Sequence, residues 1–177
     1  MIIEAERSCL LLVDFQGRLA PAIAEAEQSV AAARRLALAA RLLGVPVIAS
    51  EQNPQGLGPT IDALRDLPEL VVAKTSFDAS RELELQEALD EERDTVLVAG
   101  WEAHVCVLQT AFGLKRNGFA PIVVADAVGS RQPANRAAAL ERLARHGIEI
   151  VTSEMVIFEW LQDCEHPRFR EVLALIK

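Results

Sequence analysis

Residues 95–118 read "TVLVAGWEAHVCVLQTAFGLKRNG", and within them a strand pattern passes directly into a helix pattern. The opening "TVLVAGW" is dominated by apolar residues without polar alternation, which suits a strand covered on both faces. From Glu102 onward, Val105, Leu108, Ala111 and Phe112 recur at helical spacing, and Asn117-Gly118 supplies a stop. No loop separates the two patterns. A strand feeding straight into a helix is half of a parallel βαβ unit.

The same half-unit recurs on either side. Apolar runs stand at "SCLLLVDF" (8–15), "PVIASE" (46–51), "ELVVAKTSF" (69–77), "APIVVADA" (120–127) and "IEIVTS" (148–153). Helical segments lie between them. "AEAEQSVAAARRLALAARLLG" is rich in helix formers and stops at Gly44. "ASRELELQEALDEE" starts at Ser80 with acidic residues in its first turn, where they favour the helix dipole. "RQPANRAAALERLARHG" follows Ser130 as a candidate N-cap. "EMVIFEWLQDC" and "HPRFREVLALIK" add two more. The layer rules then give an α/β fold, a three-layer, doubly wound, six-stranded parallel sheet of Rossmann-like type. One domain over residues 1–177 is expected from the length.

Composition narrows the function. The chain has 177 residues and a formal net charge of −8, which argues against nucleic acid, whose phosphates are bound through Lys and Arg. No apolar stretch reaches the ~18 residues of a membrane span, and Glu4 precedes the first apolar run where a secretory leader would be basic. Cys9, Cys106 and Cys164 are an odd number at unrelated spacings, which fits neither a disulfide framework nor a CxxC motif. A cytoplasmic location is the expectation. No GxGxxG follows the first strand, so a dinucleotide site is not expected.

Ligands of such sheets bind beyond the carboxyl ends of the strands. Asp14 ends the first strand, Lys74 stands near the end of the third, and Cys106 follows the fourth. Each has an ordinary reading: a turn residue, a snorkelling lysine, a buried thiol. Together they place a carboxylate, an ammonium and a thiol at one edge. That set suits acyl transfer, with Cys106 as nucleophile, Asp14 as general base, and Lys74 with the helix dipole favouring the thiolate. Backbone N–H groups of the turn at Cys106 would hold the oxyanion.

With these residues in order, the chain resembles the isochorismatase-like cysteine hydrolases, a superfamily that includes nicotinamidases and N-carbamoylsarcosine amidohydrolases. The resemblance runs through "LLLVDFQ", "SEQNPQGLGPT", "KTSF", "VAGWEAHVCVLQTA", "VVADAVGSR" and "HPRFREVLALIK". The run "EQNPQGLGPT", the "EAHVC" variant and the tail look most like the isochorismatase-domain-containing subgroup. The resemblance implies a triad of Asp14, Lys74 and Cys106, a cis peptide between Trp101 and Glu102, and oxyanion donors at the amides of Glu102 and Cys106. It also implies a small-molecule substrate.

Departures from the pattern carry information. Nicotinamidases bind a divalent metal through an Asp and several His of the loop after the second strand. Here that loop holds Glu51 and Asp62 and no histidine, so no metal and no cofactor is expected. The glycine that replaces the nucleophile in isochorismate-cleaving members is absent. Gln16 either lines the pocket or satisfies a loop amide; Phe77 and Trp101 are candidate pocket walls, and Glu102 belongs to the second tier. His104 reads as a structural donor and Cys9 as core. Trp160 and its apolar neighbours, with the last helix, offer more large apolar side chains than a small domain needs, so a homo-oligomer is expected. The function expected is a metal-independent hydrolase of a small amide, ureide or related acyl compound. The alternative is a scaffold that keeps the fold without efficient turnover.

Overall fold

A computed structural model describes residues 2–90 and 92–176. Its core is one six-stranded sheet, all parallel, in the order β3-β2-β1-β4-β5-β6. The strands are β1 (Ser8–Val13), β2 (Val47–Gln52), β3 (Leu70–Lys74), β4 (Thr95–Trp101), β5 (Ala120–Gly129) and β6 (Glu149–Val151). The chain starts in the middle, steps outward to β3, then returns beside β1 and steps out the other way. The reversal falls between β1 and β4, and a doubly wound sheet opens its ligand crevice at such a point.

Side-chain alternation divides the interior into two cores. Leu10, Leu12, Leu97, Ala99 and Val124 face α1 (Ala26–Leu42), α6 (Ser153–Leu161) and α7 (Phe169–Ile176). Leu11, Val13, Val96, Val98 and Val123 face α3 (Leu83–Ala88), α4 (Leu108–Arg116) and α5 (Pro133–Arg145). Every residue of β1 is buried, as its unbroken apolar run requires.

The longest expected helix runs 26–42 and stops before Gly44, whose φ of 72° is the left-handed closure that glycine permits. Three expectations need correction. The segment after Ser80 does not start a helix there. Asp78 accepts from the Ser80 N–H and hydroxyl, a 3-10 turn spans Ala79–Arg81, and α3 begins only at Leu83. The helix after Cys106 does not begin at Glu102, because a π-turn covers Ala103–Val107 and α4 follows. Ser130 does not cap α5; Gln132 is the N-cap, with Pro133 at the first helical position. Among the described residues, no helix is long and apolar enough to cross a membrane.

The connection from β2 to β3 is tied down to the loop after β1. It carries the short α2 (Pro54–Leu57), and Thr60 forms an antiparallel bridge with Gln16. Gly17 N–H donates to Pro59 O at 3.1 Å and Ile61 N–H to Phe15 O at 2.8 Å.

Candidate active site at the switch point

Close approach of β1 and β4 builds the site. At Gly100, φ is 141° and an added Cβ would stand 2.0 Å from Val13 O, so only glycine lets these strands meet here. Asp14 comes next on β1 and the turn to Cys106 comes next on β4. Asp14 adopts a left-handed φ of 54°, a bend that Asp tolerates better than most residues. The Trp101–Glu102 peptide bond is cis.

The structure brings Asp14, Lys74 and Cys106 together. Lys74 Nζ donates to Asp14 Oδ2 at 2.7 Å, in a pair shielded from solvent. The same ammonium donates to Gln52 Oε1 at 2.8 Å and to Ser76 O at 3.3 Å, so its three N–H groups each have an acceptor. Ser50 Oγ donates to Asp14 Oδ1 at 2.7 Å. Cys106 is 6 % exposed, and its thiol feels the charges of both Asp14 and Lys74.

Electrostatics correct one expectation. The Cys106 pKa is raised from 9.0 to about 12, first by burial and then by the Asp14 charge, while Lys74 pulls the other way and is outweighed. The thiol is therefore protonated at neutral pH. A nucleophile of that kind needs its proton removed as it attacks.

Several second-tier residues lie elsewhere. Gln16 is fully buried; its Nε2 donates to Gln52 O and Gly58 O, and its Oε1 accepts from Gln52 N–H, so it fastens the loop after β2. Trp101 turns its ring towards α1. It packs against Phe15 at 4.7 Å between centroids and donates its indole N–H to Ser29 Oγ, on the opposite side of the sheet from Cys106. Neither can touch a substrate at the sulfur. Phe77 remains available, with half its surface exposed. Glu102 accepts from Arg131 N–H at 2.8 Å and from Arg131 Nε at 3.1 Å. His104 Nδ1 meets Ser130 Oγ at 3.1 Å and its Nε2 lies 3.4 Å from Asn135 Nδ2, so the ring ties the π-turn to the start of α5. Cys9 is buried in β1 and Cys164 is exposed.

Glu51 accepts from the Thr60 N–H and hydroxyl at 2.6 and 2.7 Å, and Asp62 pairs with Arg65 at the surface. Among the described residues, no cluster of three or more His, Cys, Asp or Glu is arranged to hold a metal ion. A cleft of about 390 Å³ beside Asn53, Thr75 and Glu82 reaches Lys74, but the Lys74 side chain is wholly buried, so the cleft meets only its backbone.

Reading the strands by face finds two residues that spacing misses. Ser50 and Gln52 follow Ile48 at intervals of two on β2, which puts them on the Cys106 side of the sheet. In the sequence they look like the polar end of a strand.

An α/β domain with an acid, an amine and a thiol gathered at its switch point is thereby defined. The isochorismatase domain model matches residues 8–155, and the chain belongs to that family. It is 44% identical over 174 residues to isochorismatase domain-containing protein 1 of Danio rerio, covering 96% of this chain and 61% of that protein. With isochorismatase domain-containing protein 2A of Mus musculus the identity is 40%, over 97% of this chain and 84% of the relative. The chain thus spans about three fifths of the first of these relatives and most of the second. The solved structure of MAR1 ribonuclease from Caenorhabditis elegans superposes with a TM-score of 0.94 at 36% identity, covering 98% of this chain and 91% of that one.

Proposed function

We propose that this protein is a metal-independent cysteine hydrolase of a small amide, ureide or related acyl compound. The observation that carries the reading is the buried Asp14–Lys74 pair at 2.7 Å, whose charges act on the Cys106 thiol. A carboxylate paired with an ammonium beside a protonated thiol is an acid–base couple waiting for an electrophile. As Sγ attacks the substrate carbonyl, the thiol proton passes to Asp14 and a C–S bond forms. The amides of Glu102 and Cys106 stabilise the oxyanion. Collapse breaks the C–N bond, and Asp14 returns the proton to the departing amine. Water, deprotonated by Asp14, then cleaves the thioester and restores the thiol.

Two features limit the substrate. Lys74 is neutralised by Asp14 and its donors are occupied, so it is no spare cation for an anionic substrate, which favours a neutral acyl group. Cys106 is only 6 % exposed, which favours a small compound over a bulky one. The worm relative's name, a ribonuclease, supports a different reading, with RNA as substrate. A net charge of −8 and a fully paired lysine favour the acyl reading.

Intact-protein mass spectrometry with a library of small amides tests the reading. An acyl adduct on Cys106, turnover in the wild type, and a folded but inactive Cys106→Ala are expected. Turnover that survives in Cys106→Ala would sink it. Cleavage of an RNA oligonucleotide that depends on Cys106 would replace it with the nuclease reading, and a wild type inert towards both would leave the scaffold. The reading further includes a cytoplasmic, self-associating protein with one domain over residues 1–177. Met155 and Phe158 of α6 are large and exposed, which supports an interface there. Sedimentation velocity at micromolar concentration should show an oligomer that Phe158→Glu weakens, and a monomeric wild type would remove this part.

A further inference from the structure

The face of β2 that looks towards the sulfur has an unusual end. Its residues run Ile48, Ser50, Gln52, from apolar to hydroxyl to amide. A strand interior seldom carries polar side chains unless they are paired. Ser50 is buried, and its hydroxyl donates to Asp14 Oδ1. Gln52 sends its Oε1 to Lys74 Nζ and anchors its Nε2 on Thr75 O at 2.8 Å. Each therefore grips one member of the ion pair.

We propose that Ser50 and Gln52 are positioning residues for the reaction, Ser50 fixing the Asp14 carboxylate and Gln52 fixing the Lys74 ammonium. The proposal rests on the reading of Asp14 as general base. A carboxylate bound at one oxygen only can rotate about its Cβ–Cγ bond. Ser50 on Oδ1 and Lys74 on Oδ2 remove that freedom and leave a remaining lone pair for the thiol proton. Gln52 does the matching work on Lys74. Of the three acceptors around Nζ, Ser76 O is the farthest at 3.3 Å, so it is the one released when Nζ turns to a sulfur anion. Asp14 and Gln52 stay bound during that exchange.

Iodoacetamide tests this without knowledge of the substrate. The rate at which it alkylates Cys106 is resolved by peptide mass spectrometry from pH 4 to 9. Asp14→Asn should change the shape of the rate–pH profile. Ser50→Ala should slow alkylation roughly tenfold, the worth of one hydrogen bond to a charged group. Ser50→Thr should restore the rate, and Ser50→Cys, near in size but a weak donor, should fall between; that variant also serves if Ser50→Ala fails to fold. Gln52→Leu should slow alkylation several-fold at every pH. If Asp14→Asn changes the profile while folded Ser50→Ala or Ser50→Cys alkylates at the wild-type rate, the positioning role is overturned alone. An Asp14→Asn profile identical to wild type overturns the general base and this proposal with it.

Discussion

At Cys106 two neighbouring charges oppose each other. Asp14 raises the thiol pKa and Lys74 lowers it, on top of the larger effect of burial. Removing the carboxylate should therefore do two things that look contradictory. Asp14→Asn is expected to bring the alkylation midpoint of Cys106 down from about 12, and to abolish hydrolysis. A pH titration of alkylation, run beside the turnover assay, checks both. A midpoint that stays put would mean that Asp14 exerts no field on the sulfur. The three charged or nucleophilic residues were legible in the sequence because each sits at a strand end, where position along the strand is readable from the apolar run. Ser50 and Gln52 were not, because their importance depends on which face of β2 they share with Cys106 and on how far β2 is shifted against β1. Trp101 misled for the same reason: it directly precedes Glu102, yet alternation carries its ring through to the α1 side.

Among the elements, the segment 76–82 shows how a short stretch is locked onto a helix. Asp78 Oδ2 accepts from Arg116 Nη2 at 3.1 Å, and Thr110 Oγ1 accepts from Ala79 N–H at 2.9 Å. Gly113 of α4 makes the fit possible, since a Cβ there would stand 2.1 Å from Ser80 Oγ and 2.3 Å from Asp78 Oδ1. Gly113→Ala should cost about 1–3 kcal/mol in urea unfolding through overpacking. The same variant should speed alkylation of Cys106, because Ser76 and its neighbours border Lys74. Gln16→Ala should act from the other side, loosening the 53–60 loop by removing three hydrogen bonds. Hydrogen exchange at Gln52 and Gly58 should rise by an order of magnitude or more, the signature of local opening. Element types were readable from periodicity, and helix starts less so. At Ser80 and Ser130 the expected caps serve other partners: Asp78, two residues earlier, and His104, which lies 26 residues away and beyond any local window.

For the whole molecule, buried thiols tie stability to alkaline pH. Cys9 and Cys106 are each raised from 9.0 to about 12, so the folded chain keeps protons that the unfolded chain has lost above pH 9. Their stabilising contribution is intact below about pH 9 and disappears as pH climbs towards 12. Urea midpoints at pH 8 and pH 10.5 should fall in the wild type, and fall less in Cys9→Ala, where one of the two thiols is gone. The sheet sets a further boundary on such effects. Leu36 of α1 shares one core with Leu10, Leu97 and Trp101, whereas Cys106 shares the other, across the strands, with Val98, Val107 and Ala111. Leu36→Ala should cost about 2–5 kcal/mol while the alkylation midpoint of Cys106 holds. The sheet thus acts as a partition, and substitutions can accumulate on the α1 side, at a cost in stability, without being felt as chemistry at the sulfur on the other.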